Sequence, residues 1–283
     1  MIEEAYQQDI KKGKDLKLEL PFVEYIAYRE LRLSGFVLKK KEEKGTLEEK
    51  VLECGKKPLI RGKLQGIWKR PFFYSWDKKA PKWYEKYWLG QHLSYKRKQG
   101  QGTFYDEYES YYLYEKNVIE KVPRPPFYQY YKEWRECGYV VKGAFKFGAL
   151  FRIYERGTRP TNAQHSLYLL RVLEKKRYKG LEFFSVLRIA ESVRKKLILP
   201  WERPSPRKPH YALYKGSFLG YLVILYEGEN IWLPKLWGYA QYAFERKSPL
   251  FLGVVDRDTS LTLFRVSPLK LKQPYLLIER VKY

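Results

Sequence analysis

Between Tyr25 and Lys39, "YIAYRELRLSGFVLK" places apolar residues three and four apart. A glycine and a short apolar run follow, which predicts an amphipathic helix, a glycine cap and a strand. "YQYYKEWRECGYVVK" (128–142) repeats the pattern 103 positions later, with seven of fifteen residues identical. A second repeat is offset by 53. "YLLRVLE" (168–174) and "YLVILYE" (221–227) read as strands, each followed by a helical run at 181–196 or 233–247. The apolar strands "LIL" and "LFLGVV" come next.

Residues 127–200 therefore hold both halves of a repeating unit. Residues 1–40 hold only a front half, and about 210–268 only a back half. Half a unit cannot bury its own apolar face, so the two outer halves are expected to fold together as one split unit. The expected organisation has 1–60 as the front half and linker, and 61–126 as a small mixed α/β domain. The central unit is 127–202, with its last strand at 273–283, and the back half is 203–272. Proline-rich "PRPP" (123–126) and "RPSPRKP" (203–209) mark boundaries, and "KRKQGQG" (96–102) reads as a loop. The fold class expected is mixed α+β: a small mixed domain, a nuclease-like α/β domain and a degenerate, split copy of the latter.

Charge changes the picture next. Fifty-six Lys and Arg against 32 Asp and Glu leave a net charge of +24, which suits a polyanionic partner. The chain has 27 tyrosines and 8 tryptophans, and aromatic rings among basic residues suit unpaired bases. The same tyrosines also suit a core whose hydroxyls reach water. High Lys, Arg and Glu with a single Met fit a thermophile. No apolar run is long enough to span a bilayer, and the N-terminal "MIEEAYQQDIKKGKD" has no signal-peptide core, so an intracellular, cytoplasmic protein is expected. Cys54 and Cys137 have no ligand spacing and are read as neither a zinc site nor a disulfide.

The three histidines are His92, His165 and His210. "GYVVKGAFKFGALFRIYERG", "HSLYLLRV" and "RIAESVRKKLIL" closely resemble the archaeal-type tRNA-splicing endonucleases, in order and in spacing. The extra half-units resemble the multi-unit fused forms of that family. The resemblance implies removal of introns from precursor tRNA at a bulge–helix–bulge, with no metal and no cofactor. It places a catalytic Tyr, His and Lys on Tyr154, His165 and Lys195. It places the two arginines that sandwich a flipped base on Arg188 and Arg280. It also implies a homodimer, in which the acidic pair Asp256 and Asp258 of "VVDRDTSL" docks on a basic pocket of the other chain.

The chemistry is consistent with those roles. RNA carries its own nucleophile, the 2′-hydroxyl. Cleavage then needs a base, an acid for the departing 5′-oxygen and positive charge for the transition state. Histidine, with a reference pKa of about 6.5, suits the acid. A tyrosine, at about 10, serves as base only beside cations such as Lys195 or Arg194. The products are a 2′,3′-cyclic phosphate and a 5′-hydroxyl. Ser185, Arg188, Ser192 and Lys195 are spaced 3, 4 and 3, so they share one helical face, and Arg188 and Lys195 are expected to look into one site two turns apart. In the split unit His165 aligns with Phe218, Lys195 with Ser248 or Lys247, and Tyr154 with Tyr214, so that unit is expected to be structural. Two other readings differ in class: a non-catalytic RNA-binding subunit, and a metal-dependent nuclease using Asp256 and Asp258.

Overall fold

A computed structural model describes residues 22–93, 102–144, 148–162, 165–192 and 195–282. The first 21 residues of the front half, most of the "KRKQGQG" loop, and Arg194 lie outside the described residues. The fold is mixed α+β, with six helices among the described residues, and the chain divides into two compact units. One comprises residues 52–172, the other residues 1–51 with 173–283.

In the 52–172 unit, a four-stranded sheet has the order β3 (Ile67–Lys69), β4 (Phe72–Ser75), β6 (Thr103–Tyr105), β5 (Gln91–His92). Helices α2 (Ala80–Tyr87) and α3 (Glu107–Glu115) belong with it. Helix α4 (Tyr128–Glu136) leads into an antiparallel sheet of β7 (Val140–Gly143), β8 (Phe151–Tyr154) and β9 (Tyr168–Leu170). Its core is aromatic: Tyr131 lies 5.7 Å from Phe151 and 6.0 Å from Tyr108, ring centre to ring centre. Sixteen of the described tyrosines are buried, so the tyrosine content is largely core.

This unit corrects the reading of the cysteines. Cys54 and Cys137 form a disulfide across 83 residues of chain. Spacing could not reveal it, because pairing depends on where the fold brings the two Cα atoms, here 4.2 Å apart. Replacing both with serine is expected to cost roughly 2–5 kcal/mol, since the bond restrains a long loop in the unfolded chain. Chemical denaturation of the double variant against the oxidised wild type measures it.

The other unit contains α1 (Phe22–Leu33), β1 (Val37–Lys39), β2 (Lys50–Val51), β10 (Arg177–Lys179), α5 (Gly180–Ser192) and β11 (Lys196–Pro200). It continues with β12 (Tyr211–Lys215), β13 (Ser217–Tyr226), β14 (Asn230–Trp232), α6 (Leu233–Glu245), β15 (Leu250–Val255), β16 (Leu261–Lys270) and β17 (Pro274–Arg280). Its strands run in the order β1-β12-β13-β15-β16-β17-β11, with β2 parallel to β16. Only β13 and β15 among neighbours in that order are parallel, as the intervening helix α6 requires. Tyr28, Leu31, Phe36 and Leu38 from the front pack with Tyr211, Leu213, Leu222, Phe251 and Leu263 from the back in one buried cluster.

The first repeat is structural in detail. After α1, Gly35 N–H donates to Arg32 O and Phe36 N–H to Leu31 O. After α4, Gly138 N–H donates to Arg135 O and Tyr139 N–H to Trp134 O. Both glycines have positive φ, at 81° and 85°. These are two Schellman motifs at equivalent positions, and any side chain there would strain the backbone.

The second repeat generates a pseudo-two-fold within one chain. Strands β10 and β14 pair antiparallel about Tyr178 and Ile231, residues 53 apart. Gly180 N–H donates to Glu229 O and Leu233 N–H to Lys176 O, so each bond is the image of the other. Strand β17 pairs with β11 on one side and β16 on the other. The geometry is that of an isologous contact, built here inside a single polypeptide.

Candidate active site

Strand β8 ends at Tyr154, which faces Val140 of β7 in the ladder. Alternation along the strand puts Tyr154 against the ring of Trp88, 4.8 Å away, and it is 7% exposed. The described residues 155–162 and 165–167 lie between β8 and β9, and Leu167, just before β9, donates its N–H to Ile153 O at 2.7 Å. Side chains of the loop hold its shape. Thr158 Oγ1 donates to Glu155 O, and Asn162 Oδ1 accepts from Arg159 N–H at 2.6 Å. Arg156 Nη1 donates to Glu53 O and its guanidinium lies 5.8 Å from the ring of Tyr139.

The loop wraps a cavity of about 280 Å³ lined by Tyr154, Glu155, Arg156, Gly157, Thr158, Asn162, His165 and Leu167. His165 is exposed at its rim. The structure thus brings together two predicted residues, a phenol and an imidazole, around one cavity, which is larger than a phosphate group. Spacing alone did not reveal Arg156 or Asn162 as cavity residues. Their signal was weak, a charged or amide residue among several in a polar loop.

A buried polar network supports β7. Asp106 caps α3 by accepting from Glu109 N–H, and Glu109 accepts from Asp106 N–H in return. Lys142 Nζ of β7 reaches Glu109 Oε1 at 2.6 Å and Gly90 O at 3.0 Å. Burial, then the charge of Glu109, pushes the Asp106 carboxyl well above the usual carboxylate range, against the opposing pull of Lys142. A raised pKa in the folded state means that stability is present at low pH and is lost as pH rises past the unfolded value towards the folded one. Asp106→Asn keeps the cap without the charge. It is expected to lose less stability than wild type between pH 5 and pH 8, as read by thermal melting at the two pH values.

The remaining predicted residues lie in the 1–51/173–283 unit. Helix α5 is described to Ser192, and Lys195 stands outside it, immediately before β11. The helical face proposed for Arg188 with Lys195 therefore does not extend to Lys195 as helix. Burial lowers the pKa of the Lys195 ammonium. Arg188 Nη1 donates to Glu227 at 2.9 Å, and Nη2 lies 3.9 Å from Asp256. Glu227 was missed, because a single Glu after a strand carries no spacing signal. Arg280 is exposed at the end of β17, opposite Phe264. Asp256 and Asp258 occupy the β15–β16 turn, where Asp256 Oδ1 accepts from the N–H groups of Asp258 and Ser260.

The repeats relate this site to a place in the other unit where Phe218 aligns with His165. Val37 pairs with Tyr214 as Val140 pairs with Tyr154, and 37 and 140 are related by the 103-residue repeat. Tyr214 is therefore the structural counterpart of Tyr154. Its hydroxyl donates to Glu43 at 3.0 Å and its ring packs 5.5 Å from Phe218. Burial, together with that carboxylate, pushes the phenol up to about 12. A carboxylate on the phenol repels an anionic substrate.

The family described as tRNA intron endonuclease, catalytic C-terminal domain, matches residues 126–205. The tRNA-splicing endonuclease of Methanothermobacter thermautotrophicus is 47% identical over 73 residues, which is 25% of this chain and 42% of that protein. That of Hyperthermus butylicus is 36% identical over 90 residues, 32% of this chain and 49% of that protein. The chain thus spans about half the length of these relatives or less. The tRNA-splicing endonuclease of Nanoarchaeum equitans is 34% identical over 117 residues, 32% of this chain and 76% of that protein. With that coverage, and with the family's catalytic domain matched across the loop and strands just described, the chain belongs to the tRNA-splicing endonuclease family.

Proposed function

We propose that the protein removes introns from precursor tRNA by cutting bulge–helix–bulge sites without metal, leaving a 2′,3′-cyclic phosphate and a 5′-hydroxyl. In this reading Tyr154 takes the proton of the 2′-hydroxyl and His165 gives one to the departing 5′-oxygen. Lys195, and Arg194 beside it in sequence, hold the phosphate oxygens and favour the phenolate. The observation that carries the reading is the cavity shared by Tyr154 and His165. An acid and a base lining one cavity, one at a strand end and one on the loop that follows it, suit a single phosphate. Arg188 and Arg280 are proposed to sandwich an unpaired base of the bulge.

The split-unit organisation belongs to the same proposal: residues 1–40 and 210–268 form a degenerate, structural copy, and 127–202 with the last strand form the active one. The enzyme is proposed to act in the cytoplasm as a homodimer. Asp256 already faces Arg188 of its own chain, so the exposed Asp258 is the group of the acidic turn best placed to meet a partner's Lys or Arg. No helix among the described residues is long and apolar enough to cross a membrane. The test is incubation of the purified chain with a bulge–helix–bulge RNA in the presence of a chelator, followed by end-group analysis. Cleavage with cyclic phosphate on the 5′ fragment supports the proposal. Cleavage that stops in chelator returns the metal-dependent reading.

A further inference from the structure

Arginine stacks on a base only if its guanidinium plane is held at the right angle, and a free arginine samples many rotamers. Arg188 projects from α5 and its side chain is 42% exposed, whereas Glu227, beyond the end of β13, is 6% exposed. Each of two carboxylates divides its oxygens in the same way. Glu227 Oε1 accepts from Arg188 Nη1 at 2.9 Å, and Oε2 accepts from Arg257 N–H at 3.4 Å. Asp256 Oδ2 lies 3.9 Å from Arg188 Nη2, and Oδ1 accepts from Asp258 and Ser260 N–H at 3.0 and 2.9 Å. Both carboxylates are thus tied to the backbone of the β15–β16 turn, and Glu227 N–H is tied to Val255 O at the end of β15. They meet the two terminal nitrogens of one guanidinium. Contacts to these nitrogens fix the plane and leave the ring-like faces open.

The pseudo-two-fold supplies a comparison within the molecule. Its image of Arg188 is Gln241, whose amide donates to Glu245. Its image of Glu227 is Glu174, which is exposed, and the residue 53 before Asp256 is Arg203. One guanidinium and two carboxylates face each other in one direction only. An ion pair needed simply to seal a symmetric contact has no reason to be one-sided.

We infer that Glu227 is a positioning residue: through the split copy's turn, and with Asp256, it aims the Arg188 guanidinium so that its open face receives an unpaired base. This rests on the proposed reading of Arg188 as an RNA contact. It gives the catalytically silent copy a task in substrate selection.

A double-mutant cycle of Glu227→Gln and Arg188→Ala tests this. It is read as binding and single-turnover cleavage of a bulge–helix–bulge RNA and of the same RNA with its bulges paired. Glu227→Gln is expected to weaken bulged-RNA binding roughly five- to tenfold. The saturated rate, paired-duplex binding and melting temperature stay near wild type. In the Arg188→Ala background it adds nothing. A silent Glu227→Gln overturns the inference, as does an equal loss on paired RNA or the same loss without Arg188. If Glu227→Gln does not fold, Glu227→Asp, which keeps the charge one methylene shorter, carries the same cycle with the same expected loss. A wild type that cuts no RNA overturns the proposed function but leaves the coupling readable from binding. A wild type that cuts while the cycle shows no coupling overturns only the positioning role.

Discussion

His165→Ala is expected to slow cleavage of bulged RNA by roughly 10²–10⁴-fold, the usual contribution of a positioned proton donor, with RNA affinity nearly unchanged. Tyr154→Phe should fall in the same range. It deletes only the hydroxyl and keeps the ring that packs 4.8 Å from Trp88, so folding is not the cause of the loss. Single-turnover rates at saturating enzyme separate these effects from binding. One further measurement assigns the roles. A substrate whose departing 5′-oxygen is replaced by sulfur leaves without a proton. That substrate should restore most of the rate to His165→Ala and none to Tyr154→Phe. Full activity of His165→Ala on the ordinary substrate would refute the assignment, and rescue of both variants by sulfur would refute the division into acid and base.

Deleting residues 1–40 is expected to leave the protein insoluble or very unstable. Leu31, fully buried, and Tyr28, Phe36 and Leu38, nearly so, close one cluster over Leu213, Leu222, Phe251 and Leu263. Strand β1 pairs with β12, so deletion also bares a row of backbone groups at a sheet edge. The milder Leu31→Ala, at a site of 0% exposure, should cost roughly 2–5 kcal/mol, the sum of lost transfer energy and the cavity left behind. Denaturant midpoints of Leu31→Ala and solubility of the deletion are the readouts. A deletion that melts like the full chain would make the front half an independent appendage.

Much of the fold was legible because it is periodic. The helix–glycine–strand pattern at 25–39 reappears as α1, a Schellman turn at Gly35 and β1. Residues 128–142 reappear as α4, the same turn at Gly138 and β7. Such turns are local: the residue that tolerates positive φ and the helix it ends are neighbours in the chain. The strand "LFLGVV" is β15 to the residue for the same reason, as an apolar run bounded by a turn. The 53-residue repeat likewise located α6, but its partner α5 is described to Ser192, short of the predicted end.

What was not legible depends on residues distant in the chain. Cys54 and Cys137 are 83 positions apart, and nothing near either one announces the other. Glu227 meets Arg188 only because β10 and β14 pair about the pseudo-two-fold and set the end of β13 beside α5. Spacing alone marked out the two offsets, and the motifs around 139–200 carried the resemblance that points to the family and proposes Tyr154 and His165. Pairing then set the Tyr154–His165 cavity, made Tyr214 the counterpart of Tyr154, and gave Arg188 its two carboxylates. Local propensity acts over a few bonds, whereas register, burial and charge partners are properties of which strands meet.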